Sequence, residues 1–101
     1  MIIYNVTVKV DHTIAAGWLT WLKKEYIPAM TGTGCFTHAV ILHLAEADDD
    51  EGITYAIQYH ATDNVLFDQY RKQFAAEMSK LLKEKWGNHF VEFSTLMHVV
   101  N

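Results

Sequence analysis

A single cysteine, Cys35, stands in the chain, so no intramolecular disulfide can form and no C-x-x-C metal or redox motif exists. Proline is as scarce: Pro28 is alone, and five glycines are too few for a flexible linker. Basic residues are the minority, 8 Lys and Arg against 12 Asp and Glu, for a formal net charge of −4. A nucleic-acid surface needs a basic stripe, so that class is excluded. No apolar run reaches the length of a membrane-spanning helix. The amino terminus "MIIYNVTVKV" has no basic region ahead of its apolar residues and alternates like a strand, unlike a signal peptide. A cytoplasmic protein is the expectation.

What is present suffices for a core. Half of the 101 residues are apolar and 13% are aromatic, which fits one domain spanning residues 1–101. A chain this short buries only about two-thirds of its unfolded surface, so self-association would help it.

Hydrophobic periodicity divides the chain. Ile2, Tyr4, Val6, Val8 and Val10 share one face of a strand, with Ile3, Asn5, Thr7 and Lys9 on the other. Asp11 or Thr13 is positioned to cap a helix in which Ile14, Trp18, Leu22 and Tyr26 recur every four residues. Pro28 disfavours helical geometry at Ile27 and is expected to stop or kink that helix, and Gly32 and Gly34 suit the reversal that follows. Residues 35 to 45 alternate as a second strand, with Phe36, His38, Val40 and Leu42 on one side and Cys35, Ala39, Ile41 and His43 on the other. After the acidic turn "EADDDEG", residues 53 to 61 form a third strand carrying Ile53, Tyr55, Ile57 and Tyr59 on one face. Joining the apolar faces pairs Leu42 with Tyr55, Val40 with Ile57 and His38 with Tyr59. Thr62 or Asp63 caps a second helix with Leu66, Tyr70, Phe74, Met78 and Leu82 inward, ended by Gly87. Residues 90 to 100 close as a last strand.

The order β-α-β-β-α-β predicts an α+β ferredoxin-like plait: a four-stranded antiparallel sheet with both helices on one face. The other face would carry Ile3, Asn5, Thr7, Cys35, Ala39, Ile41, Ala56, Gln58, Ser94 and Leu96, too apolar for a surface meeting water alone. Two sheets packed back to back in a two-fold homodimer would bury it.

The stretch "GWLTWLKKEYIPAM" resembles the first helix of the dimeric α/β-barrel superfamily, with Tyr26, Ile27, Pro28, Gly32 and Gly34 matching its aromatic–apolar–Pro ending and Gly-containing turn. That superfamily includes antibiotic-biosynthesis-type monooxygenases, muconolactone-isomerase-like enzymes and the ethyl-tert-butyl-ether-degradation group. The whole chain is similar to a family of short bacterial proteins of unknown function, through "MIIYNVTV", Trp18 and Trp21, "EGITYAIQY" and "WGNHFVEF". The resemblance implies the fold and a homodimer, and assigns no chemistry. In the superfamily the end of the first helix borders a cavity between helices and sheet, where some relatives place a ligand-contacting His. Tyr26 stands there instead, and a tyrosine is no base near neutral pH without a large pKa depression.

The candidate site follows from polar tips on apolar faces. Tyr4, Tyr26, His38, Tyr55 and Tyr59 all fall on the inferred core side. Each is readily a packed core residue whose polar group bonds internally. Together they also suit a cavity for a small aromatic ligand, with His38 the best acid–base group. His12, His43, His60, His89 and His98 show neither H-x-H nor H-E-x-x-H spacing, so no metal is expected. Cys35 has no basic neighbour to make it a nucleophile. The acidic turn lacks the ligand spacing of a calcium loop. "EGITYAIQY" lacks the basic residue and one aromatic of an RNA-recognition strand. No cofactor is expected. The sequence therefore supports a homodimeric small-molecule-binding or interaction module, or a cofactor-independent monooxygenase or isomerase acting on an aromatic substrate.

Overall fold

The computed structural model describes residues 1–101. Its elements are β1 (Ile2–Asp11), α1 (Ala15–Trp21), a π-helical segment (Leu22–Tyr26), α2 (Ile27–Gly32), β2 (His38–His43), β3 (Gly52–Ala61), α3 (Asn64–Gln73), α4 (Ala75–Trp86) and β4 (Phe90–His98). All neighbouring strands run antiparallel, in the order β2-β3-β1-β4, with the helices on one face. This is the ferredoxin-like plait that the element order predicts.

The first helix does not stop at Pro28. It runs through to Gly32, and Trp18, Leu22, Tyr26 and Met30 are all buried along it. A spacing of four overshoots an α-helical turn by about 40° each time, so the stripe would drift off the core. The π turn takes up that drift by holding one more residue: the Ile27 N–H reaches back to the Leu22 carbonyl. The wider turn also accommodates Pro28, which has no N–H and whose ring would press on the carbonyl four residues back. At the helix start, Ile14 holds the cap position with no side-chain bond. Asp11 instead ends β1 and accepts from His89 at 3.1 Å. The second helix is broken at Phe74 into α3 and α4, and Asp63 caps it by accepting from the Leu66 N–H at 3.0 Å.

The pairing of β2 corrects the predicted register by one residue. His38 lies opposite His60, Ala39 opposite Tyr59, Ile41 opposite Ile57 and His43 opposite Tyr55. Phe36 still enters the core, but a bend at Thr37 breaks the alternation before the strand begins. His38, Val40 and Leu42 therefore point away from the helices, while Ala39 and Ile41 point toward them. In β4 the phase is likewise the reverse of that expected. Val6 lies opposite Ser94 and Val8 opposite Glu92, which places Phe90, Glu92, Ser94 and Leu96 on the helix side. Val91, Phe93, Thr95 and Met97 lie on the outer face. Cys35 is buried in the core, not outside it.

The outer face is an ordered grid. Its rows read Met97–Ile3–His60–His38, Thr95–Asn5–Gln58–Val40 and Phe93–Thr7–Ala56–Leu42 across the four strands. The fixed charges on it are Lys9 and Asp11, both at one end of β1. Phe93 is 67% exposed, and Val40 and Leu42 about 40%.

Gly52, at the start of β3, shows how closely the acidic turn is held. A Cβ there would stand 2.5 Å from the Val10 carbonyl oxygen. Backbone cannot yield as a flexible side chain would, so Gly52→Ala is expected to destabilise by about 1–3 kcal/mol. Gly32→Ala, with nothing within 4 Å of the new Cβ, serves as the control. Urea unfolding midpoints check both; equal midpoints for the two variants would refute the clash.

Candidate functional site

Between the first helix, α4 and the sheet lies a cavity of about 210 Å³. Its apolar walls come from Val6 and Val8 of β1, Ile57 of β3, Trp18, Leu22 and Met30 of the first helix, and Ala75 and Leu82 of α4. Into these walls are set the phenols of Tyr4, Tyr26, Tyr59 and Tyr70, the Ser79 hydroxyl and the Glu92 carboxyl. A 150 Å³ apolar cavity admits benzene, so this one has room for a substituted single ring.

Packing fixes the phenols. Tyr4 stands at the centre of an aromatic wall, 5.2 Å from the Phe67 ring, 5.8 Å from Tyr70 and 6.1 Å from Tyr59. Phe36 packs edge-on to Tyr70 at 4.9 Å and closes that wall from behind. Tyr26 donates weakly to the Met78 carbonyl at 3.4 Å. The hydroxyls of Tyr4, Tyr59 and Tyr70 make no hydrogen bond to protein, and the buried indole N–H of Trp18 has no partner either. These three hydroxyls face the space of the cavity, where a water or a ligand oxygen can accept from them.

Electrostatics set the protonation states. Burial pushes the Tyr26, Tyr59 and Tyr70 phenols well above the ordinary tyrosine range, and they raise one another, with Glu92 adding to each. These phenols, the Ser79 hydroxyl and the Glu92 carboxyl all border the one cavity. The phenols stay protonated at every physiological pH and act as donors. Burial also raises the Glu92 carboxyl above its ordinary range, against the opposing pull of the Lys83 ammonium. Glu92 stands at the mouth. Glu92, Ser94 and Leu96 on the helix side of β4 are exposed, so that side of β4 is open. A polar cleft between α4 and β4, lined by Ser79, Lys83, Asn88 and Glu92, meets the cavity there.

Three of the five residues singled out by sequence, Tyr4, Tyr26 and Tyr59, line this cavity. Tyr55 does not; it lies over the Trp18 ring at 5.6 Å, beside His43. His38 is on the opposite face of the sheet, stacked on His60 with ring centroids 4.2 Å apart, and does not reach the cavity. Sequence reasoning missed Tyr70, Ser79 and Glu92 as cavity residues. Tyr70 carried a signal, a hydroxyl on a core stripe, whereas Glu92 was hidden by the inverted phase of β4. His12, His43 and His89 brace one end of the sheet. His12 and His43 both hold Asp49 of the acidic turn, His43 at 2.9 Å. No cluster of three or more His, Cys, Asp or Glu is arranged to hold a metal.

The backbone trace is shared with proteins of very different sequence. An antibiotic biosynthesis monooxygenase superposes with a TM-score of 0.64 at 12% identity, covering 100% of both chains. A variant of SnoaB, a cofactor-independent oxygenase from Streptomyces nogalater, gives 0.66 at 14% identity over 99% of this chain and 94% of the other. An ethyl tert-butyl ether degradation (EthD) family protein from Bacillus halodurans gives 0.64 at 7% identity over 99% of this chain and 100% of the other. At such identities the likeness is one of fold. No curated protein matches the sequence. The family assignment rests instead on the sequence profile matched along residues 1–100: the chain belongs to DUF4286, a domain of unknown function.

Proposed function

We propose that residues 1–101 act as one domain, a homodimeric small-molecule-binding module whose ligand is a small ring compound held in the cavity beneath Trp18. The observation that carries this reading is the set of phenol hydroxyls without protein partners in an otherwise apolar cavity. Packing alone is served as well by Phe at such positions, whereas these hydroxyls are turned to the cavity space. A ligand oxygen would satisfy them. The aromatic walls favour a planar ring, and the volume favours a single one.

The partner in the dimer is a second copy, joined through the outer sheet face. That face is nearly free of fixed charge in a chain that is 20% charged, as the centre of a protein contact is. Four strands about 4.8 Å apart and some 30 Å long present roughly 500–600 Å² of flat surface each. Two copies together reach the roughly 1,000 Å² that a specific contact needs. No helix is long and apolar enough to cross a membrane. The single buried, unpaired cysteine fits a reducing, cytoplasmic setting.

A catalytic reading, a cofactor-independent oxygenase or isomerase, gains support from the shared fold of SnoaB and from the carboxyl at the cavity mouth. The test common to both readings is occupancy. Phenol, benzoquinone and phenylacetone at millimolar concentration should each be screened by thermal unfolding. At least one is expected to raise the melting temperature by several degrees through mass action. Ala75→Leu, which fills the cavity, should unfold no earlier than wild type and lose the shift. No shift with any probe, or an unchanged shift in Ala75→Leu, would remove the cavity from consideration.

A further inference from the structure

The cavity pairs two kinds of group that a merely apolar pocket does not need. Tyr59 and Tyr70 offer O–H donors with no acceptor in the protein, and Glu92 offers an acceptor at the mouth. A ligand that satisfies both must present an oxygen inward and an acidic hydrogen toward β4. A neutral phenol would satisfy the donors but gives Glu92 nothing when its single oxygen lies at the phenols. A carbonyl flanked by a C–H bond supplies both, because the hydrogen sits on the carbon two bonds from the oxygen and can face the mouth.

On the basis of the ligand cavity proposed above, we propose that this site enolises a small ring-bearing ketone, with Glu92 as the catalytic base and Tyr59 and Tyr70 as the donors that hold the enolate oxygen. The step is self-contained. The Glu92 carboxylate removes the proton from the carbon beside the carbonyl, and the C–H pair becomes the carbon–carbon π bond. The carbonyl π pair moves onto oxygen, where the two phenols donate to it. Return of the proton from Glu92 to the same carbon restores the ketone, and return to a conjugated carbon isomerises it. No oxidant, metal or second reactant is consumed.

Three features favour this arrangement. Donors held in place by a packed aromatic wall stabilise charge that develops on oxygen more than they stabilise the neutral carbonyl. The phenols are too weakly acidic at this site to surrender their own protons, so they remain donors throughout. Partial loss of solvation at the mouth raises the carboxyl above its ordinary range, which makes it a stronger base than an ordinary glutamate. Lys83, which lines the same cleft at the mouth, opposes that rise.

The experiment uses phenylacetone in deuterated buffer with the full chain, following loss of its α-hydrogens by proton NMR. Binding is read in the same sample by saturation transfer. Wild type is expected to accelerate exchange, with a rate that rises through one ionisation above the ordinary carboxylate range. Glu92→Gln should keep binding and lower the exchange rate at least a hundredfold. The Tyr59→Phe, Tyr70→Phe double variant should lower kcat more than it raises KM. Binding without exchange above buffer, or exchange unchanged in Glu92→Gln, would overturn the proposal and leave the binding function standing. Absence of binding would overturn both. The pH profile is measured on wild type alone, so it decides the matter even if a variant fails to fold.

Discussion

Phe93→Lys is expected to turn a dimer into a monomer at micromolar concentration. Phe93 is 67% exposed in the single chain, beside Thr7 on the outer face and one row from Thr95 and Asn5. In a sheet-to-sheet dimer it is buried twice, once from each copy. Removing the aromatic forfeits roughly 1.5–3 kcal/mol per copy. Placing an ammonium there adds the cost of an unpaired charge at a dry contact, several kcal/mol more. The dissociation constant should rise by a factor of about a thousand or more, since each 1.4 kcal/mol is tenfold. The monomer itself should fold as before, because the position faces no helix. Leu96→Lys is the informative control: Leu96 lies on the helix side of β4, so its variant should remain dimeric. Sedimentation of the three proteins over a range of concentrations reads the result. A wild type that sediments as a monomer throughout would end the proposal.

The composition of the two sheet faces explains which parts of the structure could be read from the sequence. In β1 the two faces differ: Tyr4, Val6, Val8 and Val10 alternate with Asn5, Thr7 and Lys9, and the inward side is plain. In β3, likewise, Thr54, Gln58 and His60 mark the outer side. In β2 and β4 both faces carry apolar residues. Val40 and Leu42 compete with Ala39 and Ile41, and Val91, Phe93 and Met97 compete with Phe90 and Leu96. A two-residue period then shows that a strand exists but not which side faces the helices. The bend at Thr37 removed the remaining cue, because Phe36 is in the core and His38 is not. One slip in each edge strand had two consequences for the site. It brought His38 in where it does not belong, and it kept Glu92 out.

The phenols survived that slip because they sit on the unambiguous elements. Tyr4 and Tyr59 are paired on β1 and β3, and Tyr26 follows a helical stripe whose spacing of four holds only because of the π turn. The convergence of these hydroxyls was not legible, since it depends on where α4 crosses the sheet and on the gap that it leaves over β4. No local pattern encodes that gap.

Acidification is expected to dissociate the dimer, and the exchange of protons sets how steeply. His60 lies in the row Met97–Ile3–His60–His38. Both of its ring nitrogens are buried without a hydrogen-bond partner, and the His38 ring lies stacked against it at 4.2 Å. Burial, and next the neighbouring His38, lower the His60 pKa below the ordinary value. A group with a lowered folded pKa binds its proton less well in the folded chain than in the unfolded one. Its contribution is thus complete above the ordinary histidine pKa of about 6.5 and is lost as pH falls from there through the folded value. A second sheet laid over the ring extends the same logic to association, because it removes the remaining water that could solvate an imidazolium. No acidic residue faces the pair to compensate: Ile3 and Met97 flank it, and Lys9 and Asp11 stand about 20 Å or more along β1. Two-fold symmetry doubles the effect. If each copy must shed the His60 proton to associate, the dissociation constant rises once pH falls below the lowered His60 pKa, with a slope approaching about two decades per pH unit. His60→Asn, which keeps a polar group of similar width but cannot take up a proton in this range, should flatten the slope to near zero while remaining dimeric at pH 8. Light scattering between pH 8 and pH 5 measures both proteins. A wild-type dissociation constant that is constant over this range would place His60 outside the contact.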